Sequence, residues 1–251
     1  VVQTFWRQIA EKAGGEASLQ NMVPYVTNKF DTFLANEIMR PIIAQQTSSF
    51  NFRQVMDEGK ILIINLSKGR LGELNSALLG LIIVGKLLMA ALSRVEIAEE
   101  EKRRDFYLYI DEFQNVTTPS IATILSEARK YRLNLIIAHQ FIAQLDEKIK
   151  NAVFGNVGTI ATFRVGTEDA EFLAKQFEPV FGASDLINID NRNAYLKMLI
   201  AGQTARPFSV KIDPPHAGDP VAPAAIKEFS RMTYGRPRAQ IEADILRRYT
   251  K

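Results

Sequence analysis

The sequence predicts an α/β fold with a mostly parallel sheet, preceded by helices and followed by a short helical tail. Short apolar runs alternate with helix-period segments from about residue 60 to residue 177. The runs are nearly continuous in hydrophobic character, as in strands buried on both faces. A chain of 251 residues, 47% hydrophobic and 24% charged, can also bury a full core in one medium domain.

Before residue 49, apolar residues recur at helical spacing (Phe5, Trp6, Ile9, then Phe30, Phe33, Leu34, Ile38), interrupted by Gly14-Gly15, Pro24 and Pro41. This predicts two or three short helices across residues 1–48. KILIINLS follows the turn-forming Glu58-Gly59 and reads as a buried parallel strand, and residues 71–93 read as a long helix. The apolar stretch of that helix, Ala77 to Leu92, is shorter than the roughly 20 residues of a membrane span, so a buried core helix is expected. The alternation continues with strand FYLYI, a helix over 120–131, strand LNLIIA, a helix near 143–153, strand TIATFRV and a helix over 168–177. Residues 195–200 and 206–212 read as antiparallel strands that close the 49–212 core. DPPHAGDPVAPAA then reads as a linker and the basic stretch from Arg236 as a helical tail, together 213–251.

Composition removes several function classes. There is no Cys, which excludes disulfides, thiolate metal sites and a Cys nucleophile and fits a reducing compartment; with only two His, a zinc site is not expected. The net charge of +3, from 31 basic and 28 acidic residues, is too balanced for nucleic-acid binding by bulk charge, so any such contact must be local. Lys68 and Arg70, in a predicted loop after a strand, are candidates for it. The chain opens Val1-Val2 with no signal-type segment and reads as a piece of a longer protein.

GLIIVGKL, residues 80–87, has the spacing G-x-x-x-x-G-K but ends in Leu87 where a Ser or Thr is required. It also falls inside the predicted long helix, where its N–H groups are committed to intrahelical bonds. Small residues on a packed helix face explain it better than a phosphate loop.

FYLYIDEFQN places Asp111 and Glu112 at the carboxyl end of an apolar parallel strand, the edge where open α/β sheets bind ligands. This is the layout of a Walker B element, in which the first acid orients magnesium and the second activates the attacking water. An acidic pair that merely begins a loop has the same sequence. Gln140 ends the next strand, where a neutral amide can position water or sense phosphate without adding charge. Beside it, His139 reads as a packing or hydrogen-bonding residue. Arg129, on the intervening helix, fits either a solvated charge or an arginine that reaches a neighbouring subunit's phosphates.

The ordered series YIDEFQN, SEARKYRLNLIIAHQ, QLDEKIKNAVFGNVGTIATFRVG and EDAEFLAKQF resembles the C-terminal half of the motor domain in the FtsK–HerA superfamily of P-loop ATPases. Within it, the similarity is to TraG/TraD-type coupling proteins of type IV secretion and conjugation. EGKILIINLSKGRLGELNSALLG fits the same pattern, and the resemblance spans about Phe50 to Ile212.

The resemblance implies a RecA-like core that uses ATP and Mg, with Asp111 as the magnesium-orienting acid, Glu112 as general base, Gln140 as strand-end sensor and Arg129 as trans-acting arginine. Arg164 is the next candidate for that last role. It further implies a homo-oligomeric ring, a hexamer, that moves DNA or a nucleoprotein substrate in concert with type IV secretion components. Residues 1–48 would close an inserted all-helical domain. The location implied is cytoplasmic, with the phosphate loop and any membrane anchor upstream of Val1. Where the family often has Gly after Arg-Lys-Tyr, this chain has Arg132, which bears on how the helix ends and where Arg129 points. A pilus-assembly ATPase and a HerA-type DNA-repair translocase are the alternative enzyme readings. A non-catalytic adaptor that recognises secretion substrates is the alternative from another class.

Overall fold

The computed structural model describes residues 23–25, 27–28, 30–31, 33–117, 121, 125 and 127–249. The chain divides into two compact units, one of residues 50–65 and 77–224, the other of residues 1–49, 66–76 and 225–251. The expected helix containing Phe5, Trp6 and Ile9 lies outside the described residues.

The larger unit is mixed α/β. Strand β1 (Phe106–Ile110) pairs in parallel with β2 (Leu133–Ile137), with Phe106 opposite Leu133 and Ile110 opposite Ile137. Both strands were expected from their apolar runs. The long helix Glu73–Leu92 sends Val84, Leu87, Ala90 and Ala91 into a core shared with Met56, Phe113, Leu133 and Val153. GLIIVGKL lies wholly within this helix.

With the 3-10 turn Ser93–Glu96 the helix is long and apolar enough to cross a membrane, which corrects the expectation that it falls short. Its buried face nevertheless packs as a core helix does. A second cluster gathers Ile142, Ala170, Leu173, Phe177 and Leu186 around helix Thr167–Phe177. Against this cluster Phe181 stacks on Tyr195, with ring centroids 3.8 Å apart.

The single parallel sheet is not what forms. Strand β3 (Ile160–Thr162) runs antiparallel to β4 (Asn193–Lys197), which pairs antiparallel with β7 (Phe208–Lys211). Thr162 is buried while Ala161 and Phe163 are exposed, the one-sided burial of an antiparallel strand rather than the two-sided burial of a parallel one. Residues 60–67, expected as a strand, form no strand among the described residues, and Ile61 and Ile63 are 91% and 80% exposed. An apolar run supplies the propensity for a strand but not the neighbour that pairs with it.

Between β4 and β7, β5 (Leu199–Ile200) and β6 (Gln203–Thr204) form a small hairpin. Its two-residue loop has positive φ at both Ala201 (51°) and Gly202 (81°), as a type I′ turn requires. A short helix, Phe52–Asp57, was not anticipated; Asn51 caps it by accepting from the N–H groups of Arg53 and Gln54.

In the smaller unit, Lys68 and Arg70 lie on the one-turn helix Lys68–Leu71 rather than in a loop, and Lys68 pairs with Glu73 at 3.4 Å. Helix Ala222–Tyr234 begins inside the predicted linker. Pro223 is tolerated there because first-turn N–H groups have no intrahelical partner to lose. The basic tail is helical as expected, over Arg238–Tyr249, and Arg248 donates to the main-chain carbonyl of Ala44 at 2.6 Å.

Candidate functional site

The parallel register of β1 and β2 carries Asp111-Glu112 and His139-Gln140 to one edge of the pair. Two main-chain bonds extend the pairing past the strand ends: Ala138 N–H to the Ile110 carbonyl and Phe113 N–H to the Ala138 carbonyl, both 2.9 Å. Phe113, fully buried, anchors the chain just beyond the acids.

Glu112 occupies the left-handed region, at φ 50° and ψ 47°. For a residue with a Cβ this costs of order 1–2 kcal/mol. The conformation reverses the chain into the 3-10 turn Phe113–Val116 and brings two amides onto one carboxylate. Gln140 Nε2 donates to Glu112 Oε1 at 2.5 Å and Gln114 Nε2 donates to Oε2 at 2.6 Å. Asn115 Nδ2 donates to the Glu112 main-chain carbonyl at 3.1 Å, and the Glu112 N–H donates to Asp111 Oδ1 at 3.0 Å.

Both oxygens of Glu112 are thus oriented by neutral donors, and Asp111 stands beside it, exposed to solvent. Such a carboxylate can accept a proton from a water placed against it, because no cation among the described residues neutralises it. Gln114 is the residue that sequence reasoning missed. Its only signal was its place two residues after the acid, which means little until the backbone reverses at Glu112.

Among the described residues no group of three or more His, Asp or Glu side chains could hold a metal ion by themselves. Magnesium bound with a nucleotide needs only one or two carboxylates, its other ligands being phosphate and water. Asp111 and Glu112 fit that requirement.

Arg129 is not part of this cluster. It sits on the 3-10 turn Ala128–Tyr131, which leads into the amino end of β2. The five-residue strand therefore separates it from Gln140 by about 17 Å. Its side chain is exposed and, among the described residues, makes no hydrogen bond or ion pair, with Glu127 included.

Arg132 takes the left-handed conformation at φ 56°, and its N–H closes the turn onto the carbonyls of Ala128 and Arg129. The position conventionally filled by glycine keeps its glycine-like backbone with an arginine in place. Arg164 follows β3, is exposed, and donates to Asn191 Oδ1 at 3.3 Å. It lines a cleft of about 470 Å³ together with His139, Gln140, Phe163 and Asp169. His139 faces that cleft, with its buried Nδ1 lacking a hydrogen-bond partner among the described residues.

Residues 105–180 match the family described as the TraM recognition site of TraD and TraG. This segment carries the TraG/TraD C-terminal signature. It contains β1, the two acids, Arg129, β2, Gln140 and helix Thr167–Phe177, the stretch on which the sequence resemblance rested. No curated protein matches the chain.

Among solved structures, the chain is similar to the bacterial conjugative coupling protein TrwBdeltaN70 in its unbound monoclinic form. That match has 18% identity over 58% of this chain and 38% of that one, with a TM-score of 0.45. Two further structures of plasmid coupling protein TrwB also match at 18% identity. The complex with ADP and Mg2+ matches over 59% of this chain and 38% of that one (TM-score 0.46). The complex with the ATP analogue ADPNP matches over 52% and 37% (TM-score 0.41). The chain spans about two fifths of the length of these structures. Over residues 105–180 it is similar to TraD and TraG.

Proposed function

We propose that this chain is the Walker B half of a RecA-like motor domain in a ring-forming TraG/TraD-type ATPase, which drives DNA or nucleoprotein toward a type IV secretion channel. The observation that carries the proposal is the Glu112 carboxylate, held from both sides by Gln114 and Gln140 at the carboxyl edge of two parallel strands, with Asp111 next to it. In this reading Glu112 takes the proton of the attacking water, Gln140 fixes the carboxylate and presents its free amide oxygen toward the nucleotide, and Asp111 orients the magnesium shell. Magnesium would supply charge neutralisation on the phosphates.

Only one stretch of the sequence has phosphate-loop spacing, and it is interior to a helix. The phosphate loop is therefore assigned to another part of the full protein. Arg129, at the far edge and unpartnered among the described residues, is assigned to the nucleotide of the neighbouring subunit. The motor is placed in the cytoplasm, with TraM-type conjugation components as its protein partners; the description of the matched family supports the latter.

The test uses the full-length protein. Glu112→Gln should retain nucleotide and magnesium binding while turnover falls by about 10²–10⁴. Asp111→Asn should also weaken magnesium-dependent binding. Reversed effects would reverse the two roles, and unchanged turnover in both variants would leave the adaptor reading, in which partner binding survives loss of both acids.

A further inference from the structure

We propose that Arg103 and Arg94 are positioning residues for Arg129, clamping the turn that carries it by the main-chain carbonyls of that turn. This rests on the trans role assigned to Arg129 above.

All four carbonyls of Ala128–Tyr131 accept a hydrogen bond. Those of Ala128 and Arg129 accept from the Arg132 N–H. The Lys130 carbonyl accepts from Arg103 Nη1 at 2.5 Å, and that of Tyr131 from Arg94 Nη1 at 3.0 Å. The Arg103 guanidinium also donates from Nε and Nη2 to the Ile97 carbonyl, at 3.1 and 2.8 Å, and its centre lies 5.6 Å from the Tyr131 ring centroid. Arg94, fully buried, also donates to the Arg104 carbonyl at 2.8 Å and to Asp57 Oδ1 at 2.9 Å.

Two arginines from a distant part of the sequence are thus spent on the backbone of one short turn, and the single arginine that points outward from it has no partner among the described residues. A side chain that acts across a subunit boundary has nothing on its own chain to aim it. Its aim comes from the rigidity of its backbone, and a planar guanidinium that bridges two carbonyls supplies that rigidity better than an ammonium can. Displacement of a reacting or charge-stabilising group by about 1 Å can cost on the order of 10²-fold in rate, so loosening the turn should act on turnover and spare ATP affinity.

The experiment is a double-mutant cycle in the full-length motor with Arg103→Ala and Arg129→Ala. Arg103 is half-buried, so its removal does not open the core. Arg103→Ala should lower kcat roughly 10- to 100-fold with KM for ATP unchanged, Arg103→Lys should fall between it and the parent, and Arg103→Ala should cost nothing further once Arg129 is already Ala. Amide exchange at Arg132, whose N–H closes the turn, should quicken in Arg103→Ala.

A full Arg103→Ala loss that persists in the Arg129→Ala background marks a general structural role and overturns the clamp. Normal turnover in Arg103→Ala overturns it as well. Normal turnover in Arg129→Ala removes the trans role itself, a separate failure that takes the clamp with it.

Discussion

The two edges of the β1-β2 pair are built on opposite principles. At the amino edge Arg94 is wholly buried and held by Asp57 and two carbonyls, while Asp57 also pairs with Arg53. Burial pushes the Arg94 pKa below the ordinary arginine value, with Asp57 pulling it back. At the carboxyl edge Asp111 is exposed, Glu112 is half-buried and strained, and neutral amides do the orienting. Each edge has one non-glycine residue in the left-handed region. Arg132 serves a helix end there, and Glu112 serves a cluster of functional groups. The same backbone cost accompanies a helix end at one edge and a carboxylate held by two amides at the other; left-handed residues of the second kind are the ones that gather at functional sites.

The largest effect that tests this contrast is on stability. Asp57→Ala leaves the Arg94 charge buried without its carboxylate, and breaking such a pair costs about 3–5 kcal/mol. Asp57 itself is 34% exposed, which puts the expected loss at the low end of that range. Denaturant unfolding of the chain measures it, and a loss below about 1 kcal/mol would put the pair in the class of surface ion pairs.

Arg132→Gly comes next, with a gain of about 0.5–1 kcal/mol from relief of the left-handed cost. The 3.7 Å pair with Asp105 that it gives up is worth little. Glu112→Gly relieves the same strain but deprives Gln114 and Gln140 of their acceptor, so its gain should be smaller than that of Arg132→Gly. Equal gains would mean that the two amide bonds contribute nothing to folding.

The smallest effect concerns Glu58, whose pKa is lowered from 4.5 by its bonds to Lys60 and then Gln54. A carboxyl with a lowered folded pKa adds stability above its ordinary value and loses it as the pH falls through the lowered one. Glu58→Gln should therefore flatten the acid limb of the stability curve, and an unchanged limb would remove the bond's contribution.

The convergence of Asp111, Glu112 and Gln140 was legible in the sequence, because two short apolar runs joined by a helix predict parallel neighbours whose following residues share an edge. Gln114 was not legible, since its bond to Glu112 exists only through a positive φ that sequence does not announce. The 60–67 strand failed for a different reason, as hydrophobicity records what a segment can bury and leaves open whether a neighbour pairs with it. Arg94 was hidden in SRVEIAEEEKRR, which reads as a solvated charged stretch. Its burial depends on partners in two other segments, Asp57 and the Tyr131 carbonyl.

The exposed run at residues 61–66 also has a practical bearing on handling the chain in solution. Ile61 to Leu66 forms a window rich in β-branched residues with no charge and no proline between Lys60 and Lys68. Windows of this kind, when open to solvent, template edge-to-edge association and aggregation. Lys60 stands at its border as the only adjacent gatekeeper, and that lysine is already paired with Glu58 at 2.6 Å. A charge placed at Ile63, the exposed middle of the window, should therefore keep this chain dispersed at concentrations where the parent precipitates.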